Sequence, residues 1–361
     1  MKKILYVGFL GHNNLGDELL FDLFEEMSGK YLNTNTYQIS ATSPYSFSAL
    51  KRFDNKYDIY ILGGGSLLTP SFSYINYIYK AVKQNKKVII WGSGIDRIPK
   101  KYIDNLHIQE DFDVRNIIDK NNRKMLIEII EHSVWCGVRG PLTYKFLKAI
   151  GANMDKVEIS GDPGLLLDVD NGTSSFLWGN NEKIIGVNWA IHKDKLRNMH
   201  EIEVENQLAV TLKDYILQGY KIYMYSLWKK DIEVSNRLYR KINDNVNVIH
   251  DTRLYNQNEL MGLMKNFHFT INYRLHASVI SCASGVPYIS LGNRFKDLDF
   301  AHSIDLKELV ISTESLNIKQ KINGVSLYIN ANREEIINKF NKHKQKYSQK
   351  LITPFNQNLF Y

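Results

Sequence analysis

A chain of 361 residues, 44% hydrophobic and 23% charged, has the composition of an ordinary folded protein, which excludes disordered and fibrous classes. That length suits two domains, since each commonly takes roughly 100–200 residues. The formal net charge of +8 comes without a block of five or six Lys/Arg and without an aromatic-studded basic motif, so nucleic acid is not the expected partner; a generally basic chain, anionic small molecules or an anionic membrane surface remain.

In chain order, "KKILYVGF" predicts a buried first strand rather than a leader, because its apolar stretch is brief and no small-residue cleavage site follows. Short apolar runs then alternate with amphipathic ones: "LLFDLFEEM", "YDIYILGGG", "FSYINYIYKAVKQ", "KKVIIWGSG", "SVWCGVR", "PLTYKFLKAIG" and "VEISGDP". Such alternation predicts a parallel sheet with helices on both faces, and the lack of polar alternation within the runs predicts strands buried on both sides. "DVDNGTSSFLWGNNE", residues 168–182, is the expected linker. The pattern restarts with "KIIGVNWA", "KIYMYSLW", "NVNVIHD", "HFTINYR" and "VPYISLG", with helices such as "NQNELMGLMKNF" between them. The expected organisation is a Rossmann-like α/β domain at 1–170, a second at 183–330 facing it across a cleft, and a helix at 331–361 packing across the junction, with a free terminal helix as the alternative.

No apolar run approaches the ~18 residues that span a bilayer. Cys136 and Cys282 sit inside apolar patterns without metal-ligand spacing, which fits a reducing cytoplasm. The aromatic "SFSYINYIY" reads as core at helical spacing before it reads as a sugar-stacking surface.

In open parallel sheets, ligands bind beyond the carboxyl ends of the strands. That rule selects Gly11, Asn14, Gly16 and Asp17 after the first strand, then Gly63, Gly64, Gly65 and Ser66, Gly92 and Gly94, Arg139, and Asp162. From the second half it selects His192, Trp228, Lys229, Arg274, His276 and Lys296. "GGGS" lets backbone N–H groups approach a ligand, although such turns also serve packing. Neither a Walker A loop nor a dinucleotide G-x-G-x-x-G is present, and no G-x-S-x-G elbow or metal-ligand cluster occurs.

"INYRLHAS" is the most informative stretch, because Arg274 and His276 fall where a buried strand meets a helix start. A cation, an imidazole and a helix dipole there make an anion site with a proton donor attached. The competing reading pairs Arg274 with a buried carboxylate and leaves His276 as packing. Lys296 falls beside the same mouth, or is a solvated surface lysine. Asp17 is either a helix-start carboxylate, like its neighbour Glu18, or a base.

Taken together, "GHNNLGDELL", "ILGGGSLL", "WGSGI", "VRGPLTYKFLKAIG", "GDPGLLL" and "YRLHASVISCASGVPYISL" in this order resemble the polysaccharide pyruvyltransferase family, from about residue 3 to residue 300. The resemblance implies two domains of the glycosyltransferase-B type, no metal and no cofactor. It also implies transfer of the pyruvate unit of phosphoenolpyruvate to sugar hydroxyls of a surface polysaccharide or its lipid-linked precursor, forming a pyruvate ketal. Such an enzyme is expected in the cytoplasm, with peripheral contact at the inner membrane face.

Asp17 matches the acidic residue of the family's first motif, Arg139 the arginine of the "VR" motif, and Arg274, Leu275 and His276 the Arg-Leu-His motif. Lys296 matches a lysine eleven residues after the glycine of Gly-Val-Pro, here Gly285. Three positions depart: Asn13 replaces a common glycine, Gly140 replaces the acid of an Arg-Asp pair, and "NRFK" adds Arg294 as a rival to Lys296 for one phosphate contact. On this reading Arg139, Arg274 and Lys296 or Arg294 hold phosphoenolpyruvate, His276 acts as general acid and Asp17 as general base, with the reverse order open. A nucleotide-sugar-dependent glycosyltransferase of the same architecture is the alternative, and a non-catalytic polysaccharide-binding subunit a third.

Overall fold

The computed structural model describes residues 1–33, 35–44, 53–70, 73–99, 102–103, 117–168, 178, 182–190, 201–292 and 294–361. The expected linker lies outside the described residues except at 168, 178 and 182, and so does His192.

The first half runs β1 (Lys2–Val7), α1 (Leu15–Tyr31), β2 (Tyr37–Thr42), β3 (Ile59–Leu62), α2 (Ser73–Lys83), β4 (Lys87–Ser93), α3 (Lys120–His132), β5 (Trp135–Val138), α4 (Pro141–Ala149) and β6 (Val157–Ile159). Its strands form a six-stranded parallel sheet in the order β2-β1-β3-β4-β5-β6. Every residue of β3 and β5 is buried, as continuous apolar runs covered on both faces require. β2 lies at the sheet edge and is only partly buried, so "YQISAT" lacks the solid apolar run by which its neighbours are recognised.

The second half runs β7 (Lys183–Asn188), α5 (Glu201–Leu217), β8 (Tyr220–Met224), α6 (Ile232–Ile242), β9 (Val248–His250), α7 (Gln257–Met264), β10 (Phe267–Asn272), α8 (Leu275–Ala283), β11 (Tyr288–Leu291), α9 (Phe295–Ser303) and β12 (Val310–Ile311). Its six parallel strands take the order β12-β11-β10-β7-β8-β9. Three helices follow: α10 (Ile318–Ala331), α11 (Arg333–Leu351) and α12 (Thr353–Asn356).

Each sheet reverses its direction of growth once. The first does so between β1 and β3, and the second between β7 and β10. Loops at such a point diverge and open a crevice at the carboxyl ends of the strands. The first turn of α1, just after β1, carries Asp17, the loop after β3 carries Gly65, and after β10 come Arg274 and, in the first turn of α8, His276.

The halves share buried surface. One apolar cluster joins Phe24, Trp91 and Ile89 to Tyr223, Tyr225, Ala277, Ile280, Leu351 and Phe355. The Trp91 indole donates to the Leu351 carbonyl at 2.9 Å, Lys350 pairs with Glu158 at 2.9 Å, and the Tyr347 hydroxyl donates to the Ser303 carbonyl at 2.6 Å.

Helix α9, although it follows β11, sends Phe295 and Leu298 into the core of the first half. Its Asp299 is fully buried and accepts the N–H groups of Leu142 and Thr143 at 2.9 and 3.1 Å and the Thr143 hydroxyl at 2.6 Å. Those N–H groups belong to the first turn of α4, whose N-cap residue is Gly140. Asp299 therefore does from the other half what an N-cap side chain does within a helix. A Cβ at residue 140 would stand 2.3 Å from Asp299 Oδ1 and 2.4 Å from its carbonyl oxygen. The main chain of α9 thus excludes an acid at 140 and supplies one at 299.

Among the described residues, no helix is long and apolar enough to cross a membrane, and no three His, Cys, Asp or Glu side chains are grouped to hold a metal ion.

Candidate active site

The loop between β1 and α1 is held from both sides. Glu18 Oε1 accepts the N–H groups of Gly11 and His12 at 2.7 and 3.1 Å, so this carboxylate shapes the loop. Across the crevice, the Leu15 N–H donates to the Leu227 carbonyl at 3.0 Å and the Trp228 indole to the His12 carbonyl at 2.9 Å. Asp17, one residue before Glu18, faces the cleft instead, and its Oδ2 accepts the side-chain amide of Asn14. It makes no cap bond to the helix among the described residues, so the simple cap reading does not describe it. Burial, with help from Glu18 and Asp162, pushes its carboxyl up to about 7 against the pull of Lys296 and Arg274.

Gly65 adopts φ +98°, a left-handed conformation that glycine takes without strain, and with Ser66 it lines the cleft beside Asp17. The other glycines expected to contact a ligand do not line it. A Cβ on Gly63 would strike the Tyr6 ring, on Gly64 it would crowd Leu20 and Pro163, on Gly92 it would strike Pro163, and on Gly94 the Arg139 guanidinium. Close packing therefore accounts for Gly63, Gly64, Gly92 and Gly94.

Arg139 is buried at the end of β5 and reaches the cleft by its guanidinium. It donates to Ser66 Oγ at 3.4 and 3.5 Å and to the Ile95 carbonyl at 3.3 Å, and its Nε stands 3.7 Å from Asp299 Oδ2.

In the second half, the Arg274 N–H donates to Asn188 Oδ1 at 3.1 Å, which ties the turn after β10 to the end of β7. Its guanidinium grips Asp231 through two bonds of 2.9 and 2.5 Å and lies 5.1 Å from the Trp228 ring centroid. Pairing with a buried carboxylate and lining the cleft are thus both true of Arg274. Asp231 and Trp228 follow β8, where the strand-end rule points to Trp228 but not to its acidic neighbour three residues on.

His276, in the first turn of α8, lies directly on Gly16: a Cβ there would fall 2.1 Å from the imidazole Nδ1. Only glycine at 16 allows this approach. His276 Nε2 is buried and has no hydrogen-bond partner among the described residues. Burial and the charges of Lys296 and Arg139 push its pKa down to about 3. The imidazole is therefore neutral near neutral pH, and the Asp17 carboxyl keeps its proton below about pH 7. That is the reverse of what a histidine acid and an aspartate base require.

Arg294 donates to the Asp96 carboxylate, another tie between the halves. Lys296, two residues on, has no hydrogen bond or ion pair among the described residues, and burial with the neighbouring Arg294 pushes its pKa down to about 7. The two rivals for one phosphate contact thus differ: Arg294 is engaged and Lys296 is not. The cleft has a volume of about 630 Å³ and gathers Asp17, Gly65, Ser66 and Arg139 from the first half with Trp228, Arg274, His276, Arg294 and Lys296 from the second. Gly11, Asp162 and Lys229 do not line it, whereas Asp231 and Lys230 do.

Residues 14–294 match the sequence profile of the polysaccharide pyruvyl transferase family. The chain belongs to that family. The matched span holds Asp17, Arg139, Arg274, His276 and Arg294 and stops two residues short of Lys296. A relative, the amylovoran biosynthesis protein AmsJ of Erwinia amylovora, is 26% identical over 144 residues, which are 37% of this chain and 34% of that protein; the chain thus matches about a third of that relative's length.

Among solved structures, MnaA of S. aureus with UDP aligns with a TM-score of 0.62 at 11% identity, covering 96% of this chain and 92% of that one. The UDP-GlcNAc 2-epimerase of Neisseria meningitidis bound to UDP-GlcNAc gives 0.61 at 13% identity over 100% of both chains. The lipopolysaccharide outer core galactosyltransferase WaaB gives 0.50 at 10% identity, over 97% and 99%. Likeness at such identities shows the fold, which is of the glycosyltransferase-B type.

The raised carboxyl of Asp17 makes a stability prediction. A partly buried acid whose folded pKa lies above its unfolded value stabilises the fold while protonated and loses that contribution as pH rises from about 4 through about 7. Asp17→Asn should therefore melt higher than wild type at pH 8, by a margin that shrinks toward pH 4, while losing transfer. Melting curves across pH check this, and a variant that melts lower at pH 8 contradicts it.

Proposed function

We propose that this protein transfers the pyruvate unit of phosphoenolpyruvate to two hydroxyls of a sugar in a surface polysaccharide or its lipid-linked precursor, forming a pyruvate ketal. The observation that carries this reading is the meeting of Arg139, Arg274 and Lys296, which has no ion-pair partner among the described residues, with Asp17 and His276 in one cleft between the two sheet-reversal points.

Phosphoenolpyruvate presents a carboxylate and a phosphate on a small frame, and fixed guanidinium groups suit both oxyanions. Lys296 is the cation without an ion-pair partner among the described residues, since Arg274 is shared with Asp231 and Arg294 with Asp96, and an incoming trianion favours its charged form. The chemistry adds a proton to the methylene carbon, bonds a sugar oxygen to the central carbon, expels phosphate, and closes the ketal with a second hydroxyl. One trianionic donor and one diol become one ketal carboxylate and one hydrogen phosphate, so proton transfer is all that the protein must supply. Asp17 and His276 are the groups placed to do it. The remaining volume accommodates the acceptor sugar. A lipid-linked acceptor would bring this cytoplasmic enzyme to the inner membrane face, where the net charge of +8 favours anionic lipid.

Thermal unfolding tests the donor. Phosphoenolpyruvate at a hundredfold excess over its Kd should stabilise the protein by about 2.7 kcal/mol, and UDP and other nucleotides should not. Stabilisation by nucleotides without response to phosphoenolpyruvate supports a nucleotide-sugar glycosyltransferase instead.

A further inference from the structure

We propose that the proton added to the methylene carbon comes from the Asp17 carboxyl, and that a neutral His276 takes the proton of the attacking sugar hydroxyl. This assignment rests on the phosphoenolpyruvate reading above and reverses the roles expected from the sequence.

The geometry at each group carries it. Asp17 Oδ2 accepts the amide of Asn14, so the acid proton belongs on Oδ1, the oxygen that lies 3.5 Å from the Cβ position of Gly65. Gly65 lines the cleft, and its bare backbone leaves that oxygen open to a bound donor. His276 offers the opposite: a buried Nε2 with no hydrogen-bond partner among the described residues and no carboxylate bonded to the ring. An imidazolium there would be a further cation beside Lys296 and Arg139, the two charged groups that face it, whereas a neutral ring presents a lone pair. Facing Asp17 are Lys296 and Arg274 as cations and Glu18 and Asp162 as acids. The incoming trianion raises the proton affinity of both groups. It keeps Asp17 protonated and lifts His276 toward the range where it can hold a hydroxyl proton.

The cycle closes. In the first step the Asp17 proton forms the C–H bond of the new methyl group, the sugar oxygen bonds to the central carbon, and the hydroxyl proton passes to His276. Asp17 is then a carboxylate and His276 an imidazolium. In the second step the carbon–oxygen bond to phosphate breaks, and His276 returns its proton to the departing phosphate. The second hydroxyl bonds to the same carbon and gives its proton to Asp17. Both groups end as they began.

Two measurements on the full chain test the assignment. The first is an NMR titration of the unliganded protein carrying 13C-carboxyl aspartate and 15N histidine, with Asp17→Asn and His276→Gln as assignment controls. It should find Asp17 protonated and His276 neutral at pH 6. The second compares acceptor sugars of graded hydroxyl acidity. His276→Ala should recover activity as the hydroxyl becomes more acidic, while Asp17→Asn should lose about 10²–10⁴-fold with every acceptor. An ionised Asp17 with a charged His276 at pH 6, or a loss in Asp17→Asn that shrinks with acceptor acidity while that in His276→Ala does not, overturns the assignment. If the wild-type protein releases no phosphate with any acceptor, the transfer reading fails, whereas the titration still decides the resting protonation states.

Discussion

His276→Ala should lower turnover with phosphoenolpyruvate by about 10²–10⁴-fold, the usual worth of a positioned proton-transfer group, while the protein stays folded. The imidazole holds no hydrogen bond through Nε2 among the described residues and feels the charges of Lys296 and Arg139, so its loss strands no partner at Nε2. What disappears is the imidazole whose Nδ1 lies over Gly16 and whose Nε2 has no partner among the described residues, in the lining of the anion site. Phosphate release measured beside a circular-dichroism melt separates chemistry from folding. Activity within a few-fold of wild type would return His276 to packing.

Asp299→Ala is expected to cost about 3–5 kcal/mol, the range for removing one partner of a buried charge pair. Three hydrogen bonds to the start of α4 are lost together with the counter-charge of the fully buried Arg139. Burial raises the pKa of the Asp299 carboxyl, and Arg139, the Thr143 hydroxyl and the two N–H groups oppose that rise. Because α9 also seats Phe295 and Leu298 in the first half and carries Lys296, the damage reaches the anion site as well as the melting curve. Urea denaturation measures the stability. A loss below about 1 kcal/mol, the size of one ordinary hydrogen bond, would show that apolar contacts alone dock α9.

Much of the frame is legible from the chain, because strands buried on both faces announce themselves as solid apolar runs. Edge strands do not: β2 is half-polar and β12 has two residues, and neither stands out. At the site, the strand-end rule together with the family resemblance reaches Asp17, Arg139, Arg274, His276 and Lys296. The acids that hold the arginines are out of reach, since Asp231, Asp96 and Asp299 lie 43, 198 and 160 positions from Arg274, Arg294 and Arg139, and no local pattern marks such a pairing. For the same reason Gly140 reads as a missing acid until α9 is seen lying on it. Glycines raise the converse difficulty. A turn that must accept Tyr6 or Pro163 and one that must accept a phosphate look alike in sequence, and only Gly65 of the "GGG" run faces the cleft. Proton-transfer direction is set by burial and by neighbouring charges, and these exist only once the two halves meet.

The most direct test of the account is incubation of the protein with phosphoenolpyruvate and a panel of simple glycosides, with phosphate and product mass followed together. Phosphate release is expected in step with an acceptor that gains a pyruvate ketal, with loss of both in Asp17→Asn and His276→Ala. Phosphoenolpyruvate left intact with every acceptor, while a nucleotide sugar is consumed in the same cleft, would contradict it.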